Sequence, residues 1–196
     1  MTLIETEPLE SPKPHRFTRD EYYRLADMGM FQDQRVERIF GEIVDMAPQN
    51  NPRYLSISLA AKELERVFSH GYWIRPQGPL SLGDDSDPEP DIAVVKGAMR
   101  DFKDHPTTAL LVVEVSDSTL RFDRTIKAAL YAKQGIADYW LININGKNLE
   151  VRRNPIQDST LPTGWKYATL LVFDVTDDVA PLARPEAKIR VASMLP

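Results

Sequence analysis

Cysteine is absent from this chain of 196 residues, which excludes a disulfide framework, a thiolate zinc site and a cysteine nucleophile. Histidine is scarce: His15, His70 and His105 are the three, and none stands at ligand spacing from another. Long apolar runs are missing too. No stretch approaches the roughly 18 apolar residues of a membrane helix, and Met1–Arg16 has no apolar core of the kind a secretory signal carries. Surplus positive charge is also lacking. The 24 Lys and Arg face 29 Asp and Glu, a net charge of −5, which argues against a broad cationic surface but leaves room for a local basic groove. With no cysteine and no Asn-x-Ser/Thr acceptor, a reducing cytoplasm is the expected compartment.

What is present describes a globular protein. Hydrophobic residues make up 42% and charged residues 27%, ordinary values for a soluble domain. The length suits one domain. Residues 1–14, acidic and proline-bearing, read as a mobile N-terminal arm, and residues 15–196 as one domain. Thr18-Arg-Asp-Glu21 is a capping-box pattern opening a short helix that ends near Gly29. Residues 35–40 and 42–46 alternate around Gly41 and predict a hairpin. A helical stripe runs from Leu55 to Phe68. Strands are expected at 72–75, 79–82, 91–95, 109–115, 139–143, 148–152, 165–174 and 188–192, with a helix over 123–134. The stretch 109–115 is the most apolar and so the most central. The fold class is α/β or α+β, a central mixed sheet flanked by helices.

The chemistry concentrates in Pro90-Asp91, in Glu114, and in Lys127 of the following helix. A carboxylate inside Leu-Leu-Val-Val-Glu-Val is costly to bury unless it is paired or bound to a metal. If the strands bearing Asp91 and Glu114 are neighbours, the two acids converge at one end of the sheet. Two carboxylates and a backbone carbonyl, that of Val115, suit Mg²⁺ or Mn²⁺. Such an ion makes hydroxide available near neutral pH and offsets charge on a phosphoryl oxygen, and a lysine beside it orients the attacking water.

These residues, with Pro79-Leu-Ser-Leu, Pro88-Glu-Pro-Asp-Ile-Ala-Val-Val95, Val113-Glu-Val-Ser-Asp-Ser-Thr-Leu120, Asp123-Arg-Thr-Ile-Lys127 and Tyr131-Ala-Lys-Gln-Gly-Ile-Ala-Asp-Tyr-Trp-Leu-Ile142, resemble the Uma-type family of restriction-endonuclease-like proteins. That family is a branch of the PD-(D/E)XK nuclease superfamily, and the likeness spans about residues 17–155. The resemblance implies a restriction-endonuclease-like core, a divalent cation, DNA as the nucleic-acid partner and a homodimer. It matches Asp91 and Glu114 to the metal-binding acids, Lys127 to a lysine in the next helix, and Glu37 to an early glutamate that is a further metal or outer acid. Ser116 stands where the parent motif has its lysine, and Asn51-Pro-Arg-Tyr54 where the family often has a histidine.

The expected function is therefore a Mg²⁺-dependent endonuclease that hydrolyses DNA phosphodiester bonds. The alternatives are a catalytically inactive nuclease-fold module that binds nucleic acid or a protein partner, and a structural dimerisation domain. RNA is an equally open substrate, because no reader motif selects DNA. Single residues also have plainer readings. Asp123 and Lys127, four apart on a helix, suit a surface salt bridge. Asp84, Asp85, Asp87 and Glu89 suit a solvated loop, and Tyr131, Tyr139 and Trp140 suit core packing. Arg121, Arg124, Lys133, Arg152 and Arg153 are candidate phosphate contacts.

Overall fold

The structure is a computed structural model that describes residues 12–196. Most of the expected arm, residues 1–11, lies outside the described residues, and Pro12–Pro14 is exposed without regular structure. The capping box forms as its pattern predicts. The Glu21 N–H donates to the Thr18 hydroxyl and the Thr18 N–H to the Glu21 carboxylate, opening α1 (Arg19–Asp27). The hairpin follows as β1 (Val36–Ile39) and β2 (Glu42–Asp45). Its two-residue turn holds Phe40 and Gly41 at φ of 50° and 74°, the handedness that matches strand twist.

Helix α2 (Asn51–Val67) starts four residues before the expected stripe, because Asn50 caps it by accepting the Arg53 N–H at 3.0 Å. A six-stranded sheet forms the centre, with strands adjacent in chain order: β3 (Tyr72–Pro76), β4 (Ile92–Lys96), β5 (Leu111–Ser116), β6 (Asp138–Asn143), β7 (Asn148–Gln157) and β8 (Trp165–Asp174). β5 and β6 pair in parallel and every other neighbouring pair is antiparallel, so the sheet is mixed as expected. The parallel pair needs a crossover. It is one continuous helical stretch made of α3 (Leu120–Phe122), a π-helical turn (Asp123–Lys127) and α4 (Ala128–Lys133). β9 (Asp178–Val179) and β10 (Ile189–Arg190) form a separate short pair.

Two strand expectations fail. Residues 79–82 alternate like a strand, and Leu80 and Leu82 are buried. Their N–H groups, however, bond the carbonyls of Pro88 and Ser86, within their own loop, rather than a sheet neighbour. The expected strand over 188–192 contracts to Ile189–Arg190 and gives way to a 3₁₀ turn, Val191–Met194.

The sheet separates two apolar layers. On one face, Ile57, Ala60 and Leu64 of α2 pack on Ile92, Val94, Val113 and Trp140. On the other, Leu130 and Tyr131 of α4 and Ile39 of the hairpin pack on Ala93, Val112 and Leu141. Alternation along β5 puts Glu114 on this second face with Val112. Among the described residues, no helix is long and apolar enough to cross a membrane.

Candidate active site

Asp91 and Glu114 come together because β4 and β5 are antiparallel neighbours, with Ile92 opposite Val113. The acids occupy the next facing position and touch through their own atoms. The Asp91 N–H donates to Glu114 Oε2 at 3.3 Å, and the Val115 N–H donates to Asp91 Oδ2 at 2.8 Å. In a strand, the N–H and C=O of one residue point to the same neighbour, so the Val115 carbonyl is also turned toward the Asp91 side. Both acids are buried. Burial, then the Glu114 charge, raises the Asp91 carboxyl from its usual range to about 6.

Lys127 closes the group from the crossover. Its amine lies 3.2 Å from Glu114 Oε1 and donates to Glu37 Oε2, and the side chain is 1% exposed. The expected surface bridge between Asp123 and Lys127 is thereby corrected. The π turn carries both residues inward, and among the described residues Lys127 pairs with Glu37 and Glu114. Burial alone lowers a lysine's pKa. Here the Glu114 and Glu37 charges outweigh it, so the amine is held above its usual value and stays protonated. Burial and Glu114 push the Glu37 carboxyl up, against the pull of Lys127. Ser116, in the parent motif's lysine position, instead sits with its hydroxyl 3.3 Å from that of Thr119.

Three contributors were not singled out as site residues from the sequence. Tyr131, read there as core, donates its hydroxyl to Glu114 Oε1 at 2.6 Å. A buried tyrosine seeks a partner for its O–H, and that was the available signal. Asp123 accepts from Thr119 at 2.6 Å, and burial followed by the Glu114 charge raises its carboxyl to about 6. Arg53 reaches Asp91 from the first turn of α2, one guanidinium nitrogen lying 3.0 Å from Oδ1 and 2.9 Å from Oδ2. A cation at a helix N-terminus opposes the macrodipole, so its placement signalled a specific anionic partner.

Two further expectations change. Asp87 is no solvated loop acid. It is buried and bridges Arg38 at 2.6 Å and Arg19 at 3.0 Å, fastening the loop to β1 and α1. Of the basic residues proposed as phosphate contacts, Arg124 and Arg152 bind Glu150, Arg153 binds Asp138 and Lys133 binds Asp85. Arg121 alone among them has no ion-pair partner among the described residues.

The donor set fits a hard divalent cation in kind. It is made of oxygens, and Glu37, Asp91, Glu114 and Asp123 outnumber the cations Arg53 and Lys127 in one buried neighbourhood. Glu37 Oε1 is buried without a hydrogen-bond partner. Among the described residues no three acids already converge on one point, and Arg53 stands on the Asp91 oxygens that such an ion would use.

The family model described as Uma2, putative restriction endonuclease, matches residues 19–181. The chain belongs to the Uma2 family. A crystal structure described as a putative nuclease belonging to DUF820, from Anabaena variabilis ATCC 29413, has the same fold. The TM-score is 0.70 at 16% identity, covering 91% of this chain and 97% of that one. No curated protein matches. The Uma2 match contains all of Glu37, Arg53, Asp91, Glu114 and Lys127.

Proposed function

We propose that this Uma2 protein is a divalent-metal-dependent endonuclease that hydrolyses phosphodiester bonds in DNA. The observation that carries the proposal is the buried meeting of Asp91, Glu114 and Lys127 at facing positions of β4, β5 and the crossover. Asp91, Glu114 and the Val115 carbonyl would hold Mg²⁺ or Mn²⁺. The bound ion supplies a low-pKa water and offsets charge on the phosphoryl oxygens.

The chain's own groups divide the remaining work. Lys127, permanently charged here, cannot act as a base. It holds Glu114 and Glu37 in place and presents a fixed positive charge to an approaching anion. Tyr131, kept protonated by burial and the adjacent Glu114, fixes one Glu114 oxygen and leaves the other turned toward Asp91. Glu37 balances the amine. We place the protein in the cytoplasm on its lack of cysteine, and as a homodimer because the family resemblance implies one.

A second reading is favoured by Arg53. A nuclease-fold module with no catalysis would keep this arginine on Asp91 permanently, the guanidinium occupying the oxygens that a metal ion would use. The decisive experiment incubates purified protein with Mg²⁺ or Mn²⁺ and supercoiled plasmid, linear duplex or single-stranded DNA. Metal-dependent nicking that disappears in Asp91→Ala and Lys127→Ala supports the endonuclease. No cleavage of any substrate with either ion overturns it.

A further inference from the structure

A second charged cavity lies beside this cluster on the same sheet face, lined by none of its residues, and its charge balance is the reverse. Arg19, Tyr23, Trp73, Arg75, Phe102 and Lys103 line a cleft of about 630 Å³, a size that accommodates a small organic ligand. Arg75 is the deepest charge, 8% exposed in β3. Burial lowers its pKa below the usual arginine range, against the pull of the Glu89 charge. Among the described residues it has no carboxylate within ion-pair distance. Its one hydrogen-bonding neighbour is His105 at 3.0 Å, and its Nε is buried with no partner. A buried cation is ordinarily paired, because leaving one isolated in a dry site is costly.

The surroundings hold this arginine in place with no carboxylate bonded to it. Its guanidinium lies 4.7 Å from the Trp73 ring centre, and Phe102 packs against Trp73 with centroids 5.6 Å apart. Gly78 packs closely against the other side, where a Cβ would lie 2.5 Å from Arg75 Nε. Lys103 is exposed and lacks an ion-pair partner among the described residues. Arg19 is shared with Asp87. One carboxylate, the exposed Asp104, lines the cleft. Arg75 pairs with Ala93, and the ladder continues by the Gln77 N–H bonding the Asp91 carbonyl at 3.1 Å. By strand alternation Arg75, Ala93 and Asp91 leave the sheet on the same face.

We propose that this cleft binds a phosphate of a single nucleic-acid strand, with Arg75 as the phosphate ligand and the Trp73–Tyr23–Phe102 aromatics beside the attached nucleoside. The anion supplies the charge that the fold withholds from Arg75, and rings interleaved with cations are what successive bases and phosphates require. The class of ligand rests on the reading that the protein works on nucleic acid; cleavage is not needed for it.

The test is metal-free. Fluorescence anisotropy with a fluorescein-labelled 12-nucleotide DNA, in EDTA, is expected to show salt-sensitive binding that weakens at least about tenfold in Arg75→Met and severalfold in Lys103→Ala. A companion titration with dTMP, thymidine and inorganic phosphate should quench tryptophan fluorescence with dTMP most strongly, and the quench should vanish in Trp73→Phe. The exposed Lys103→Ala variant keeps the test valid if Arg75→Met folds poorly. Oligonucleotide binding that is indifferent to both variants overturns the cleft while leaving the endonuclease standing. No oligonucleotide binding also overturns it. Cleft-dependent binding without plasmid nicking supports the cleft and removes only the catalytic reading.

Discussion

Two buried charge clusters on one sheet face solve opposite problems. Around Asp91, acids outnumber bases: Arg53 and Lys127 face Glu37, Asp91, Glu114 and Asp123. Around Arg75, a cation is buried with no acid bonded to it. Asp87, buried and shared by Arg38 and the half-exposed Arg19, shows what this fold does with charges that serve structure alone. The contrast teaches that imbalance is the informative feature. A matched pair is complete within the chain, whereas a surplus of one sign in a dry site points to a ligand of the other sign.

The sharpest way to break this comparison is to remove one cation from each cluster. Lys127→Met leaves Glu37 and Glu114 buried together without their shared partner, and should cost about 3–5 kcal/mol in urea unfolding at pH 7.5. The loss should shrink as pH falls and the Glu37 carboxyl, already raised by burial, takes up a proton. Were Lys127 merely an exposed salt-bridge residue, the cost would stay below about 1 kcal/mol.

Asp123→Asn should act in the opposite direction. The folded-state carboxyl titrates at about 6, above its usual value, so its neutral form is the one the fold favours. Its stabilising contribution is present below pH 4 and is lost as pH rises through 6. At pH 7.5 the ionised group destabilises by on the order of 1–3 kcal/mol, which the asparagine variant should recover. Thermal melts across pH 4–8 check this. The variant's curve should be flatter than wild type's over pH 4–7, and identical curves would contradict the burial argument.

Arg53→Ala separates the two functional readings. Freeing the Asp91 oxygens should tighten Mn²⁺ binding by about tenfold in calorimetry, equivalent to 1.4 kcal/mol. Unchanged affinity means that the arginine and the ion do not share those oxygens. The smallest effect belongs to the cleft. Arg75→Met removes an uncompensated charge while keeping an apolar stem on Trp73, so ligand-free stability should not fall by more than about 1 kcal/mol and should rise where the unpaired charge was a cost. A loss as large as that of Lys127→Met would show that Arg75 is a structural group.

The acids at the centre of this account were legible because each violates a local rule. Glu114 interrupts an apolar strand, and Asp91 follows a proline-rich loop at a strand start. Their meeting needed only that β4 and β5 be neighbours, which they are. Lys127 and Glu37 were legible through resemblance, but their direct pairing was not, because it depends on a π turn that rotates Lys127 inward. Arg53 and Tyr131 escaped because their side chains answer to partners 38 and 17 residues away, and helical periodicity describes only a residue's own element. The strand expected at 79–82 failed for a related reason. Alternating burial of Leu80 and Leu82 looks the same whether the backbone bonds a sheet or its own loop. The unpaired charge of Arg75 had no signature in one dimension at all.

The central claim is that the acid surplus at Asp91 and Glu114 is a divalent-ion site. A crystal soaked in Mn²⁺ and measured for anomalous scattering tests it most directly. The account predicts a peak between the Asp91 and Glu114 carboxylates, with the Arg53 guanidinium moved off Asp91. Arg53 still seated on both Asp91 oxygens, and no anomalous peak beside Glu114, would contradict it.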